Sequence, residues 1–250
     1  MKFVVLAAGK STRIYNRIRK PKALLKINKK SIIKNIINKI NSLKHKRIAA
    51  KKINIVVGFK KNLLLKELKQ FERINFIFNK DYNNKDMLSS LILGLNNEAE
   101  DTVMIYSDIY FEKKLLNKIV KIKYKHITLP ILTNWKQVWK KRNKDPLKDA
   151  EQLTIDKNNF IISIGKKIKN LSEVNYQYMG IIYFPKESIK KFMNFYNNLK
   201  NKNKLHITNF LDLMIKKKYR IKSIPIRSFW YEFDDYQDYI RFKHLKKKID

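Results

Sequence analysis

Lys2-Phe3-Val4-Val5-Leu6-Ala7-Ala8-Gly9-Lys10-Ser11-Thr12-Arg13 begins with a short apolar run and ends in small and basic residues. Residues 2–7 read as a buried central strand of a parallel sheet, since both faces are apolar. The run is too short for the core of a signal peptide. Small residues at the strand's end let the backbone come close to a ligand, and successive amides of such a loop can cradle phosphate oxygens. Arg13, and Lys22 in the following Lys20-Pro21-Lys22-Ala23-Leu24-Leu25, can supply fixed positive charge where phosphoryl transfer builds negative charge. Taken alone, the same residues also suit an ordinary strand–turn with solvated basic side chains.

Outward from this stretch, strands alternate with helices. Residues 31–44 place Ile32, Ile33, Ile36, Ile37, Ile40 and Leu43 at helical spacing with Ser31 as N-cap. Strands are expected at 53–57, 74–78 and 102–107, and helices at 60–72 and 87–97. The alternation predicts an α/β fold, a three-layer, Rossmann-like, mainly parallel mixed sheet with helices on both faces. Ligands of such sheets bind beyond the C-terminal strand ends, where Gly9 and Asp108 fall. The second half is less regular, with strands expected near 127–132, 160–164, 177–184 and 220–226 and helices near 187–199, 207–217 and 236–247. No repeat or linker divides the 250 residues, so one domain spanning 1–250 is expected.

Composition narrows the function classes. Hydrophobic residues make up 44%, enough for a sizeable core, and there is no cysteine, which excludes disulfides and thiolate metal sites. No apolar stretch approaches a membrane span, and a cytoplasmic location fits. The net charge is +36, which raises the question of nucleic acid. Yet it is nearly all lysine, spread along the chain beside abundant Asn and Ile, as in proteins of AT-rich genomes. No nucleic-acid motif accompanies it, so neither nucleic acid nor membrane is an expected partner. The oligomeric state, a homodimer included, stays open.

Four further constellations carry chemistry. Asn83-Asn84-Lys85-Asp86-Met87-Leu88-Ser89-Ser90 lies between a strand and a helix, where Asn84 and Ser89 could read a base edge or cap the helix. Tyr106-Ser107-Asp108 ends a strand. Trp230-Tyr231-Glu232-Phe233-Asp234-Asp235, with Asp238, is an acidic cluster in a basic chain, and carboxylates suit Mg2+. Residues 134–151 hold Trp135, Trp139, Arg142, Asp145, Asp149 and Glu151, and are followed by Lys166 and Tyr178. Such a set suggests a pocket around 134–180 for a small zwitterion, with Arg142 clamping a phosphonate or phosphate and Asp149 or Glu151 holding an ammonium. The same tryptophans could instead be core.

Leu6-Ala7-Ala8-Gly9-x-x-x-Arg13 with Pro21-Lys22-Ala23-Leu24 resembles the signature of the nucleotidyltransferases that make nucleotide sugars and related activated metabolites. The family often has Gly where Ser11 stands. The resemblance implies a nucleotide-diphospho-sugar transferase-like fold and a loop, Leu6, Ala7, Ala8, Gly9 and Ser11, that holds a nucleoside triphosphate. It implies phosphate contacts from Arg13 and Lys22, base and ribose contacts from Asn84, Ser89 and Ser107, and Mg2+ on Asp108 and Asp234. Residues 134–180 are similar to the cytidylyltransferase branch associated with phosphoenolpyruvate mutase, which points to CTP as donor and 2-aminoethylphosphonate as acceptor. Trp135, Arg142, Asp149, Glu151, Lys166 and Tyr178 would then line the acceptor pocket. Phosphocholine, a phosphorylated amino-acid amide or a sugar phosphate are the alternatives, and a basic nucleic-acid-binding protein is the non-enzyme alternative. No nucleophile is required, and none of the four histidines sits in a motif.

Overall fold

The computed structural model describes residues 1–48, 52–84, 86–95, 100–142, 146–200, 202 and 205–246. Lys85 and Asp145 lie outside them, as do the last residues of the helices expected at 87–97 and 236–247.

The strands are β1 (Lys2–Ala7), β2 (Lys26–Ile27), β3 (Lys30–Ser31), β4 (Lys52–Val57), β5 (Ile74–Phe78), β6 (Thr102–Tyr106), β7 (Ile109–Phe111), β8 (Thr128–Leu132), β9 (Glu151–Ile155), β10 (Ile161–Lys167), β11 (Gln177–Tyr178), β12 (Ile181–Phe184), β13 (Lys222–Ile226) and β14 (Trp230–Glu232). The helices are α1 (Thr12–Ile18), α2 (Ile32–Asn41), α3 (Lys61–Leu68), α4 (Met87–Leu95), α5 (Lys113–Lys121), α6 (Trp135–Arg142), α7 (Lys186–Asn197), α8 (Ile207–Lys216) and α9 (Tyr236–Lys246).

The main sheet runs β11-β8-β12-β6-β1-β4-β5, with β13 also on β8. β1 pairs parallel with β4 and β6, β4 with β5, and β13 with β8. β12 runs antiparallel to both β6 and β8, and β11 runs antiparallel to β8, which makes the sheet mixed but mainly parallel, as expected. β1 is wholly buried because its side chains feed two cores. Phe3, Val5 and Ala7 face one, with α2, α5, α6 and α9 over it. Val4, Leu6 and Ala8 face the other, under α4, α7 and α8. The expected three layers follow from this alternation.

α2 starts where its cap predicts, since the Ser31 hydroxyl accepts from the Lys34 N–H. The strand expected at 177–184 is broken. Its halves, β11 and β12, flank Met179 and Gly180, and Gly180 has φ +70°, a left-handed conformation open to glycine. α6 was not expected as a helix. Trp135, Val138, Trp139 and Arg142 are all buried and follow the i, i+3, i+4, i+7 stripe of an amphipathic helix. That stripe is present in the sequence, where the same residue types also suggest a pocket lining. Among the described residues no helix is long and apolar enough to cross a membrane.

Candidate active site

Beyond Ala7 the chain turns through Gly9 and Ser11 into α1. Ser11 adopts φ +56°, the region that favours glycine. Its hydroxyl accepts from the backbone N–H of Lys22 at 3.0 Å and so ties the loop to the Pro-Lys-Ala-Leu segment. Gly58 backs the loop: a Cβ there would lie 2.8 Å from the Ala8 carbonyl oxygen and 2.7 Å from Tyr82 Cβ. The loop walls a cavity of about 400 Å3. Leu6, Ala7, Ala8, Gly9 and Ser11 line it, and so do Arg13, Lys22, Ser107 and Asp108. Its far wall is made by Tyr82, Asn83, Asp86, Met87 and Ser90.

A second cavity, about 270 Å3, adjoins the first and shares Arg13, Met87 and His206 with it. Trp139 of α6, Asp149, Glu151 of β9, Gln177 and Tyr178 of β11, Thr208 of α8, and Glu232 and Asp234 line it. Glu151 makes no ion pair among the described residues. Burial pushes its pKa above the usual carboxylate value, with the neighbouring Thr208 hydroxyl acting the other way. The Tyr178 hydroxyl is buried without a well-aligned partner among the described residues, next to the edge-on ring of Tyr106 at 5.7 Å.

Where the cavities meet, residues far apart in sequence converge. β7 leaves Asp108 and pairs antiparallel with β14, setting Glu232 opposite Ile109. The Phe233 N–H donates to the Asp108 carbonyl at 2.9 Å. This ladder brings Asp108, Glu232 and Asp234 together, with one carboxylate oxygen of each within 4.8 Å of the others. Lys22 Nζ donates to Asp108 Oδ2 at 3.2 Å and Asp234 Oδ1 at 3.1 Å. Burial alone would lower the Lys22 pKa, but the Asp108 and Asp234 carboxylates hold it above the ordinary lysine value. Asp234 is pulled down to about 2, because Lys22, Arg142 and Arg13 outweigh its burial. Glu232 is pushed well above the usual range by burial and by the Asp234 charge.

The ion-pair network joins five carboxylates, Asp108, Asp149, Glu232, Asp234 and Asp238, to three cations, Arg13, Lys22 and Arg142. In a chain of net charge +36, this is a local reversal in which acidic groups outnumber basic ones. Oxygen-only donors at this spacing fit a hard ion such as Mg2+, which accepts few protein ligands and completes its shell with waters and phosphate oxygens.

Several expected site residues lie elsewhere. Trp135 is core, packed edge-on against Trp139 at 6.0 Å, and Trp139 takes the cavity position one helical turn on. Lys166 is exposed on β10 and is not among the lining residues of either cavity. Arg142 is no surface clamp. Its side chain is 2% exposed and is spent on protein carboxylates. Asn84 is exposed, and its neighbour Asn83 lines the first cavity. Ser89 donates to the Asp86 carbonyl at 2.8 Å and accepts from Asn79 Nδ2 at 3.2 Å, while Ser90 lines the cavity. Sequence reading also missed Tyr106, Glu232 and His206. The first two stand inside quoted motifs. His206 had no motif; it precedes α8 at the shared mouth of the cavities.

Residues 3–131 match the MobA-like NTP transferase domain. The chain belongs to that family, and so is a nucleotidyltransferase. It is 27% identical over 253 residues to the CTP:phosphoglutamine cytidylyltransferase of Campylobacter jejuni, across 95% of this chain and 97% of that protein. Among solved structures, the CTP:phosphocholine cytidylyltransferase LicC of Streptococcus pneumoniae superposes with TM-score 0.75 at 20% identity, over 100% of this chain and 99% of that one. The inositol-1-phosphate CTP transferase of T. maritima gives 0.74 at 19% identity, over 98% and 96%. Both share the whole fold.

Proposed function

We propose that this protein transfers CMP from CTP to a small phosphorylated acceptor that carries a primary ammonium, releasing pyrophosphate. The observation that carries the reading is the pair of adjoining cavities, one lined by Lys22 and Asp108 and the other by Asp234, with Lys22 Nζ bridging the two carboxylates. The 400 Å3 cavity, walled by the Ala8–Arg13 loop, takes the nucleotide. Its triphosphate lies on the loop amides, with Arg13 and Lys22 as its counter-charges. The second cavity takes the acceptor, its ammonium on Glu151 and Asp149, its stem against Trp139 and Tyr178.

Chemistry then needs only position. An acceptor phosphate or phosphonate oxygen attacks the α-phosphorus in line, the bond from the α-phosphorus to the bridging oxygen breaks, and pyrophosphate leaves with that oxygen. No enzyme nucleophile takes part. Asp108 and Asp234, with Glu232 beside them, would hold Mg2+, which when bound neutralises charge on the reacting phosphates. With a cation held there, Lys22 would exchange the two carboxylates for the triphosphate, the anion within its cavity.

Among ammonium-bearing acceptors, phosphoglutamine is favoured by the relative that matches this chain end to end. 2-Aminoethylphosphonate is the second, since it offers the same ammonium to Glu151 on a shorter stem. A pyrophosphate-release screen of four NTPs against phosphoglutamine, 2-aminoethylphosphonate, phosphocholine and 2-hydroxyethylphosphonate tests the reading. CTP with an ammonium-bearing acceptor should be best. Equal turnover with GTP or ATP, or with amine-free 2-hydroxyethylphosphonate, would overturn it.

A further inference from the structure

Arg142 holds the only guanidinium in the network that is wholly inside the protein. It is 2% exposed, and it is surrounded by four acids, one just before β9, one on β14, one in the turn after it and one on α9. Nη1 lies 2.8 Å from Asp149 Oδ2 and 3.6 Å from Glu232 Oε2, Nη2 donates to Asp234 Oδ2, and Nε lies 3.5 Å from Asp238 Oδ1. The Trp139 ring closes the remaining side, 5.1 Å from its Cζ to the ring centroid, and Trp139 stacks on Trp230 at 5.5 Å with 7° between planes. Asp149 faces the second cavity. Asp234 faces the carboxylate cluster. Asp238 in turn accepts the N–H groups of Asp234 and Asp235 at 2.9 and 3.2 Å, so it fixes the turn that carries Asp234. One planar fork can span these carboxylates at once; a lysine ammonium on a flexible stem cannot.

We propose that Arg142 is a positioning residue that binds the second cavity to the cation-holding carboxylates as one rigid unit, setting Asp149 and Asp234 at a fixed separation. The inference rests on the assignment of the second cavity to the acceptor. Arg142 touches neither substrate in this arrangement; it acts through Asp149 and Asp234.

Mn2+ binding, read by electron paramagnetic resonance on the nucleotide-free protein, separates this role from simple charge compensation. Arg142→Lys keeps the charge and loses the fork. It should weaken Mn2+ binding about tenfold, the scale of losing an outer-shell partner, and raise the acceptor KM while leaving the CTP KM near wild type. Arg142→Met removes the charge as well. Were Arg142 only a counter-ion, Arg142→Lys would bind Mn2+ as wild type does and Arg142→Met would bind it more tightly. Were it only structural, both variants would melt earlier with Mn2+ affinity unchanged. Either result overturns the proposal. Failure of the acceptor assignment shows separately, as a wild type that transfers CMP to none of the amines while the Mn2+ difference persists.

Discussion

The first cavity takes the largest single share of its wall from one continuous stretch, Leu6 to Arg13, closed by Lys22 through the Ser11 hydroxyl. The second takes one or two residues each from α6, β9, β11, α8 and β14. The first is therefore rigid by local backbone geometry, while the second depends on long-range packing around Arg142 and the three stacked or edge-on tryptophans. A phosphate-binding loop need only present amides and charge, which one turn supplies. A site that selects one acceptor must aim side chains from several directions, which one turn cannot.

The largest effect should come where the cavities join. Asp108→Asn should cut kcat by at least about a hundredfold, the scale of losing one fixed charge at the reacting centre, with little change in melting temperature because no core volume is lost. Lys22→Met should cost a similar factor in kcat/KM for CTP. Activity within a few-fold of wild type in either folded variant would remove that residue from the centre.

Glu151→Gln should split the cavities next. Losing a charge-assisted contact should raise the KM of an ammonium-bearing acceptor by about ten- to a hundredfold, with the CTP KM unchanged. It should also change stability with a defined sign. The folded-state pKa of Glu151 lies above its free value of 4.5, so the ionised form is disfavoured by folding. The glutamine variant should melt higher than wild type at pH 7 to 8. That gap should close as the pH falls below about 4.5, where the carboxyl is protonated in both states. A variant that melts lower at neutral pH would show that Glu151 has a native counter-charge.

Two glycines give the smallest and most selective test. A Cβ on Gly58 meets Ala8 and Tyr82 at the first cavity, whereas one on Gly180 meets the Tyr106 ring at 2.9 Å beside the second. Gly58→Ala should raise the KM for CTP several-fold and spare the acceptor. Gly180→Ala, strained also by its φ of +70°, should do the reverse. Both variants raising both constants equally would mean that the cavities are not independent.

The same contrast explains what the sequence disclosed. β1, its loop and the Pro21–Leu24 segment were legible because strand, small residues and charges follow each other within about twenty residues, and the parallel alternation up to β6 was legible for the same reason. Asp108 and Asp234 were legible through their motifs, though the β7–β14 ladder that joins them was not. In the second cavity, residue types alone left Trp135 and Trp139 equivalent. The helical stripe of α6 decides between them: Trp135 faces the core and Trp139 the cavity. Arg142 reads as a substrate clamp until its four acidic neighbours, up to 96 residues away in Asp238, are seen to consume its charge. Lys166 reads as a ligand only through the family resemblance, and on β10 its side chain lies out in solvent. His206 carries no signal, since the mouth it occupies exists only when α8 docks beside α4.

A crystal structure of the protein with CTP and Mg2+ tests the account most directly. It should place the triphosphate on the Ala8–Arg13 loop and the ion on Asp108 and Asp234, with Lys22 Nζ turned from those carboxylates to a phosphate oxygen and the second cavity open beside the α-phosphorus. An ion bound away from both aspartates, or a triphosphate lying outside the loop, would contradict it.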